Sequence, residues 1–257
     1  MDLQRTTEII IGIAQEAGAG VLAQYGSAEG VTKYDGTLVT EADPEAEVLI
    51  RKRLKEHFPD HAVYGEELGF EGAEDNPWRW YLDPIDGTSN YVFGIPLWGV
   101  SIGLTYERRT VAGVFDMPAV RETYWAWAGG GAFCNGRRLL PNTASALGPN
   151  DLVCLSSTIL QRYEFNSLQK TRSMGSAAYA LAGLAAGQFV GVIHDNWKLH
   201  DLAAGLVMCQ ETGMVITRDD GTPFTGFEGC DPGEHAPTLI LAPAGVHDEL
   251  LACVRRK

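Results

Sequence analysis

The sequence predicts a mixed α+β fold, and three observations carry that prediction. Residues 4–25 form an amphipathic pattern in which Ile10, Ile13, Ala14, Ala17, Val21 and Tyr25 recur at spacings of three and four. Residues 97–128 read LWGVSIGLTY, TVAGVFDM and RETYWAWAG, strand-like runs of an antiparallel meander broken at ERRT and PAV. Beyond residue 150, strand-like runs alternate with short helical ones.

The first helix is read as scaffold. TKYDGTLVTEAD follows, with Lys33 as its sole base and a turn at Asp35-Gly36. Asp43 precedes Pro44, the order of an N-cap and a first-turn proline, so a helix is expected from there to about His57. Asp43 is a plain cap, a functional carboxylate, or both. The brief apolar run of AVYGEELG ends in Glu66-Glu67, of which at most one is expected to face a site.

WYLDPIDGTSNYVFG, residues 80–94, is the most informative stretch. A buried strand ends in Asp83 and Asp86, and Gly87-Thr88-Ser89 reads as a tight turn opening a helix. Two carboxylates beside free backbone amides suit a divalent cation and phosphate; a solvated acidic turn is the alternative.

Trp98, Trp125 and Trp127 are expected to pack between layers, and an Asn-Gly turn closes the meander near residue 135. Pro, Asn, Ser and Gly concentrate at 141–150, dividing the chain into an N-terminal portion, 1–140, and a C-terminal portion, 141–257. The second portion is read as a strand (DLVCLSS), a helix near 160–169, a small-residue helix within 175–187, a strand, and a helix opened near Asp201 and closed at Gly213. Two strands and a terminal helix, VHDELLACVRR, complete it.

A formal net charge of −13 and a pI near 4.8 argue against nucleic acid or an anionic bilayer as partner. Five scattered cysteines form no C-x-x-C pair and suggest free thiols in a reducing compartment. No basic run followed by a long apolar stretch opens the chain, and the apolar segment 181–193 is too short to span a bilayer, so a cytoplasmic protein is expected.

Glu66, Asp83, Asp86, Asp201 and, less directly, Asp43 all fall at element ends, where a mixed fold can gather them. Oxygen donors without a Cys/His set point to Mg²⁺ or Mn²⁺, which offset the mutual repulsion of clustered carboxylates. The amides after Asp86 and the Thr88 hydroxyl are placed to receive phosphate oxygens, and Thr88 bonded to a carboxylate could instead take the proton of an attacking water. No Walker motif or nucleotide loop accompanies them, which favours a hydrolase over a kinase.

DPIDGTSNY, the preceding GEE and the later Asp201-Leu-Ala-Ala-Gly resemble the signature set of the inositol monophosphatase superfamily, over nearly the whole chain. The resemblance implies an αβαβα layered sandwich and Mg²⁺-dependent, lithium-sensitive hydrolysis of a small phosphorylated metabolite, commonly by a homodimer. It implies two or three Mg²⁺ ions, with Mn²⁺ as a substitute, held by Glu66, Asp83, the Ile85 carbonyl, Asp86 and Asp201. Glu67 lies just outside that set. Gly87, Thr88 and Ser89 would meet phosphate, Thr88 paired to Asp43 would activate water alongside Glu66, and Lys33 would lie near the phosphate or a third ion. Two departures stand out: His200 replaces the usual Trp before the distal Asp, and His194 aligns with a pocket glutamate. His194 could donate or become cationic, and Asp195 could assume the missing carboxylate's role. The expected reaction is hydrolysis of inositol-1-phosphate by metal-activated water. Histidinol phosphate and fructose-1,6-bisphosphate are the alternative substrates, and a catalytically silent metal- or phosphate-binding regulator is the non-enzyme alternative.

Overall fold

The computed structural model describes residues 1–34, 36–168, 170–227, 230 and 237–257; Asp35, half of the expected Asp35-Gly36 turn, lies outside them. The first half contains α1 (Leu3–Gln24), β1 (Val31–Thr32), β2 (Leu38–Val39), α2 (Ala42–His57), β3 (Ala62–Gly65), β4 (Gly69–Glu71), β5 (Trp78–Asp86) and the short α3 (Thr88–Val92). The meander is β6 (Gly99–Tyr106), β7 (Arg109–Met117), β8 (Glu122–Trp127), β9 (Gly131–Cys134) and β10 (Arg137–Arg138). The second half contains β11 (Val153–Leu155), β12 (Tyr163–Phe165), β13 (Thr171–Arg172), α4 (Ala177–Ala185), β14 (Gly191–His194), α5 (Leu199–Glu211), β15 (Met214–Arg218), β16 (Leu239–Pro243), α6 (Ala244–Ala252) and β17 (Val254–Arg256).

These elements stack in five layers. An eight-stranded sheet, ordered β10-β9-β8-β7-β6-β5-β3-β4, is antiparallel except where β3 runs parallel to β5. Helices α1 and α2 cover one of its faces, and α4 and α5 cover the other. The far side of α4 and α5 meets a five-stranded sheet, β13-β11-β14-β16-β15, which α6 covers from outside. This is the expected αβαβα sandwich. Among the described residues, no helix is long and apolar enough to cross a membrane.

The central helix layer packs closely because its contact residues are small. A Cβ on Gly103 of β6 or Gly113 of β7 would lie within 2.5 Å of Ala203 or Ala204 of α5, so the Ala-Ala-Gly run lets α5 sit almost on the sheet backbone. Between the other face and α1 and α2 lies a core that includes Ile10, Ile50, Trp80, Leu82 and Trp98. Trp98 is fully buried as expected, whereas Trp125 and Trp127 are half-buried and stack on Phe133.

Three local expectations are corrected. The helix carrying Asp43 starts two residues earlier than a cap at Asp43 implies, at Ala42, with Glu41 at the cap position. Pro44 is accommodated inside the first turn, where its nitrogen needs no acceptor. In place of the helix expected near 160–169 there is a single 3₁₀ turn, Ile159–Gln161, followed by β12. The terminal helix stops at Ala252, and Val254–Arg256 pairs antiparallel with Tyr163–Phe165. One non-local pairing thus explains both of the last two.

Candidate active site

Asp83 and Asp86 are three residues apart, so a regular strand would send them to opposite faces. The ladder between β5 and β6 is instead broken between these two residues. Pro84 has no N–H to give the ladder, and a bulge at such a point re-aims side chains. Asp83 Oδ1 accepts the Ile85 N–H at 3.0 Å, fixing the bend. Both carboxylates consequently line one cavity of about 640 Å³ at the end of β5.

The chain reverses at Gly87, whose φ of +91° suits glycine. A Cβ there would lie 2.9 Å from the Leu97 carbonyl oxygen and 3.2 Å from Ser176 Cβ. Gly87, Thr88 and Ser89 all line the cavity. Thr88 Oγ1 donates to the Ile85 carbonyl at 2.9 Å and stands 3.5 Å from Asp43 Oδ1. The other Asp43 oxygen accepts both the N–H and the hydroxyl of Thr40, at 2.8 and 2.6 Å.

Glu66 enters from the end of β3. Glu47 of α2, fully buried, accepts the N–H groups of Glu67 and Leu68 at 2.7 and 3.2 Å and holds the Arg51 guanidinium at 2.8 Å. A Cβ at position 65 would overlap the Glu47 carboxylate where it now sits, so glycine leaves room for it. Glu66 lines the cavity, and Lys33 Nζ reaches both Glu66 Oε1 at 3.1 Å and Glu67 Oε1 at 2.6 Å. Burial pulls the Lys33 ammonium downward, but the two carboxylates outweigh it and hold its pKa above the ordinary value.

Asp201 occupies the third position of α5, its Oδ2 accepting the Lys198 N–H at 2.7 Å. Asp86 is tied to the start of α4, accepting the Ser176 hydroxyl and the N–H groups of Ala177 and Ala178, the latter two at 3.2 and 3.1 Å. Burial, followed by the charges of neighbouring carboxylates, raises Asp83 well above the usual range and lifts Asp86 and Asp201 to about 7. Asp83, Asp86 and Asp201 present oxygens within 4.8 Å of one another, and Glu66, Asp83 and His200 form a second such group. Sparsely hydrated carboxylates crowded this closely fit divalent cations, which would supply the charge their own amide and hydroxyl donors do not.

His194 and Asp195 also line the cavity. The His194 ring stacks on Trp197, with centroids 4.7 Å apart, and its Nδ1 lies 2.9 Å from the Asp195 carbonyl oxygen. Burial pushes its pKa down to about 4, so it is neutral at physiological pH rather than cationic. The Asp195 carboxylate is buried, and Oδ1 accepts the Ser156 hydroxyl at 2.5 Å.

The structure adds residues that the sequence reading did not single out. Ser156, Ser157 and Thr158 follow β11, and with Ser173 and Asn196 they give the cavity a hydroxyl- and amide-rich side. Three consecutive hydroxyl residues after an apolar strand were the available signal. Glu47 and Ser176 act through partners distant in sequence, and no local pattern marks them.

Comparison with known proteins agrees with this geometry. The Inositol monophosphatase family profile matches residues 2–257. Inositol-1-monophosphatase of Synechocystis is 34% identical over 262 residues, covering 97% of this chain and 88% of the relative. Histidinol-phosphatase of Chlorobaculum parvum is 41% identical over 145 residues, covering 56% of this chain and 54% of the relative. The Thermotoga maritima IMPase structure superposes with a TM-score of 0.83 at 26% identity, covering 96% of this chain and 95% of that one. With the match spanning essentially every element that builds the cavity, the chain belongs to the inositol monophosphatase family and is a phosphoric monoester hydrolase.

Proposed function

We propose that the protein hydrolyses the phosphate ester of a small polyol, with inositol-1-phosphate as the substrate that its cavity suits best. The observation carrying this reading is one cavity lined both by carboxylates, Glu66, Asp83, Asp86 and Asp201, and by hydroxyl side chains, Ser156, Ser157, Thr158 and Ser173. A phosphate monoester needs the first, and a ring bearing several hydroxyls is matched by the second. Glu66, Asp83, the Ile85 carbonyl, Asp86 and Asp201 are assigned to Mg²⁺. When bound, the ions would neutralise phosphate charge and make water a stronger nucleophile.

The chain's own groups then orient the reactants. Gly87, Thr88 and Ser89 face the phosphate where α3 begins. Asp43, held by Thr40, is positioned to take the Thr88 hydroxyl proton as that hydroxyl takes one from the attacking water, so that the proton ends on the Asp43 carboxylate. Lys33 is assigned to steadying Glu66 through the shared ion pair, in preference to gripping phosphate directly. His194 supplies a neutral wall, and Asp195 aligns Ser156 toward the substrate.

A second reading, histidinol phosphate, is supported by the 41% identity to a histidinol-phosphatase over 56% of this chain. Specificity constants for inositol-1-phosphate, histidinol phosphate and fructose-1,6-bisphosphate, measured side by side in millimolar Mg²⁺, decide the matter. A clear lead for inositol-1-phosphate is expected; a lead for either of the others would replace it.

A further inference from the structure

His200 brings an imidazole nitrogen to the carboxylate cluster. It opens α5 beside Asp201, its ring lies 6.1 Å from that of Tyr64 at 18°, and its side chain is 3% exposed. Nε2 stands 3.3 Å from Asp201 Oδ1 and 3.9 Å from Glu66 Oε2, while Nδ1 is buried without a hydrogen-bond partner. Glu66, Asp83 and His200 therefore offer three ligand atoms within 4.8 Å of one another. An octahedral ion with bonds of about 2.1 Å spaces its ligand atoms roughly 3 to 4 Å apart, so this group needs only small adjustments to close around one.

The neighbouring group, Asp83, Asp86 and Asp201, has oxygens alone, and Asp83 belongs to both. The two positions differ chemically. Magnesium takes oxygen ligands almost exclusively, whereas imidazole suits manganese, iron, cobalt and zinc. We propose that His200 is a ligand to the ion held at Glu66 and Asp83, giving that position a preference for a divalent transition ion over Mg²⁺, while the all-aspartate position remains suited to Mg²⁺. The proposal rests on the metal centre assigned under the proposed function. It is distinct from the alternative in which Nε2–H merely donates to Asp201.

Pulsed electron paramagnetic resonance on the chelator-stripped full chain, reloaded with Mn²⁺, tests it without substrate. Bound Mn²⁺ is expected to show directly coordinated imidazole nitrogen, and protein grown on ¹⁵N-histidine should shift that coupling. The signal should vanish in His200→Phe, which keeps a ring against Tyr64. In calorimetric titrations the same variant should lose at least about tenfold in Mn²⁺ affinity, the lower end of what disturbing a ligand shell costs, and less in Mg²⁺ affinity. Bound Mn²⁺ with no nitrogen coupling, coupling that survives in His200→Phe, or equal losses for the two metals would overturn the assignment of His200 alone. Should His200→Phe fail to fold, His200→Gln, which removes the imidazole but keeps a polar side chain beside Asp201, takes its place in both readouts. Absence of Mn²⁺ binding would overturn the carboxylate metal centre as well.

Discussion

Asp83 and Asp86 are the side chains whose chemistry is hardest to explain without a cation, being nearly buried and facing further carboxylates. Replacing either by Asn removes charge from the proposed metal position without changing shape. Turnover is expected to fall by orders of magnitude while circular dichroism stays native; unchanged turnover would remove these residues from the reaction. Thr88→Ala divides the roles further, because its hydroxyl touches Asp43 and the Ile85 carbonyl. It should lower turnover while keeping more Mg²⁺ affinity than Asp86→Asn, and equal affinity losses on titration would contradict the proton role. The sequence disclosed these residues because turn chemistry puts them side by side. It did not disclose Glu47, whose partners are the Glu67 and Leu68 amides some twenty positions away.

Elements join at the Gly87 turn, where β5 ends, α3 begins and α4 supplies the donors that hold Asp86. Gly87→Ala would force a Cβ against Leu97 and Ser176 at a positive φ. A loss of roughly 1–3 kcal/mol is expected from such a backbone position, read by denaturant unfolding together with loss of phosphate release. Wild-type stability in this variant would show the turn to be freer than the geometry implies. Long periodic elements were readable in advance: α1 was expected at 4–25 and runs Leu3–Gln24, and the meander strands lie where alternation put them. Segments fixed by distant partners were not. Residues 163–165 carry no helical cap and become a strand because Val254–Arg256 lies alongside, a contact that no local propensity records.

Across the whole molecule, the five layers bring carboxylates from β3, β5 and α5 to one cavity, so folding the metal-free chain must bury like charges together. Asp86 and Asp201 titrate near 7 in the folded chain against about 3.9 when unfolded. A raised carboxylate pKa favours the folded state fully below about pH 4, and that contribution is lost as pH rises through about 7. The thermal midpoint of the metal-free protein should therefore decline across this window, and Mg²⁺ should raise it more at pH 8 than at pH 5. Asp201→Asn should flatten the decline, and a Mg²⁺ gain independent of pH would contradict the crowding argument. The layered order was legible only through the likeness of DPIDGT, GEE and the Asp201 segment to a known family, since alternation identifies strands without saying which sheet they join.

The central claim is that acidic groups from both halves of the chain act with divalent ions to open a phosphate monoester. Phosphate release from inositol-1-phosphate, followed with millimolar Mg²⁺ and again with excess chelator, in the native chain and in Asp201→Asn, tests it most directly. The account predicts release that requires Mg²⁺ and falls by orders of magnitude in the folded variant. Chelator-insensitive release, or undiminished release by Asp201→Asn, would contradict it.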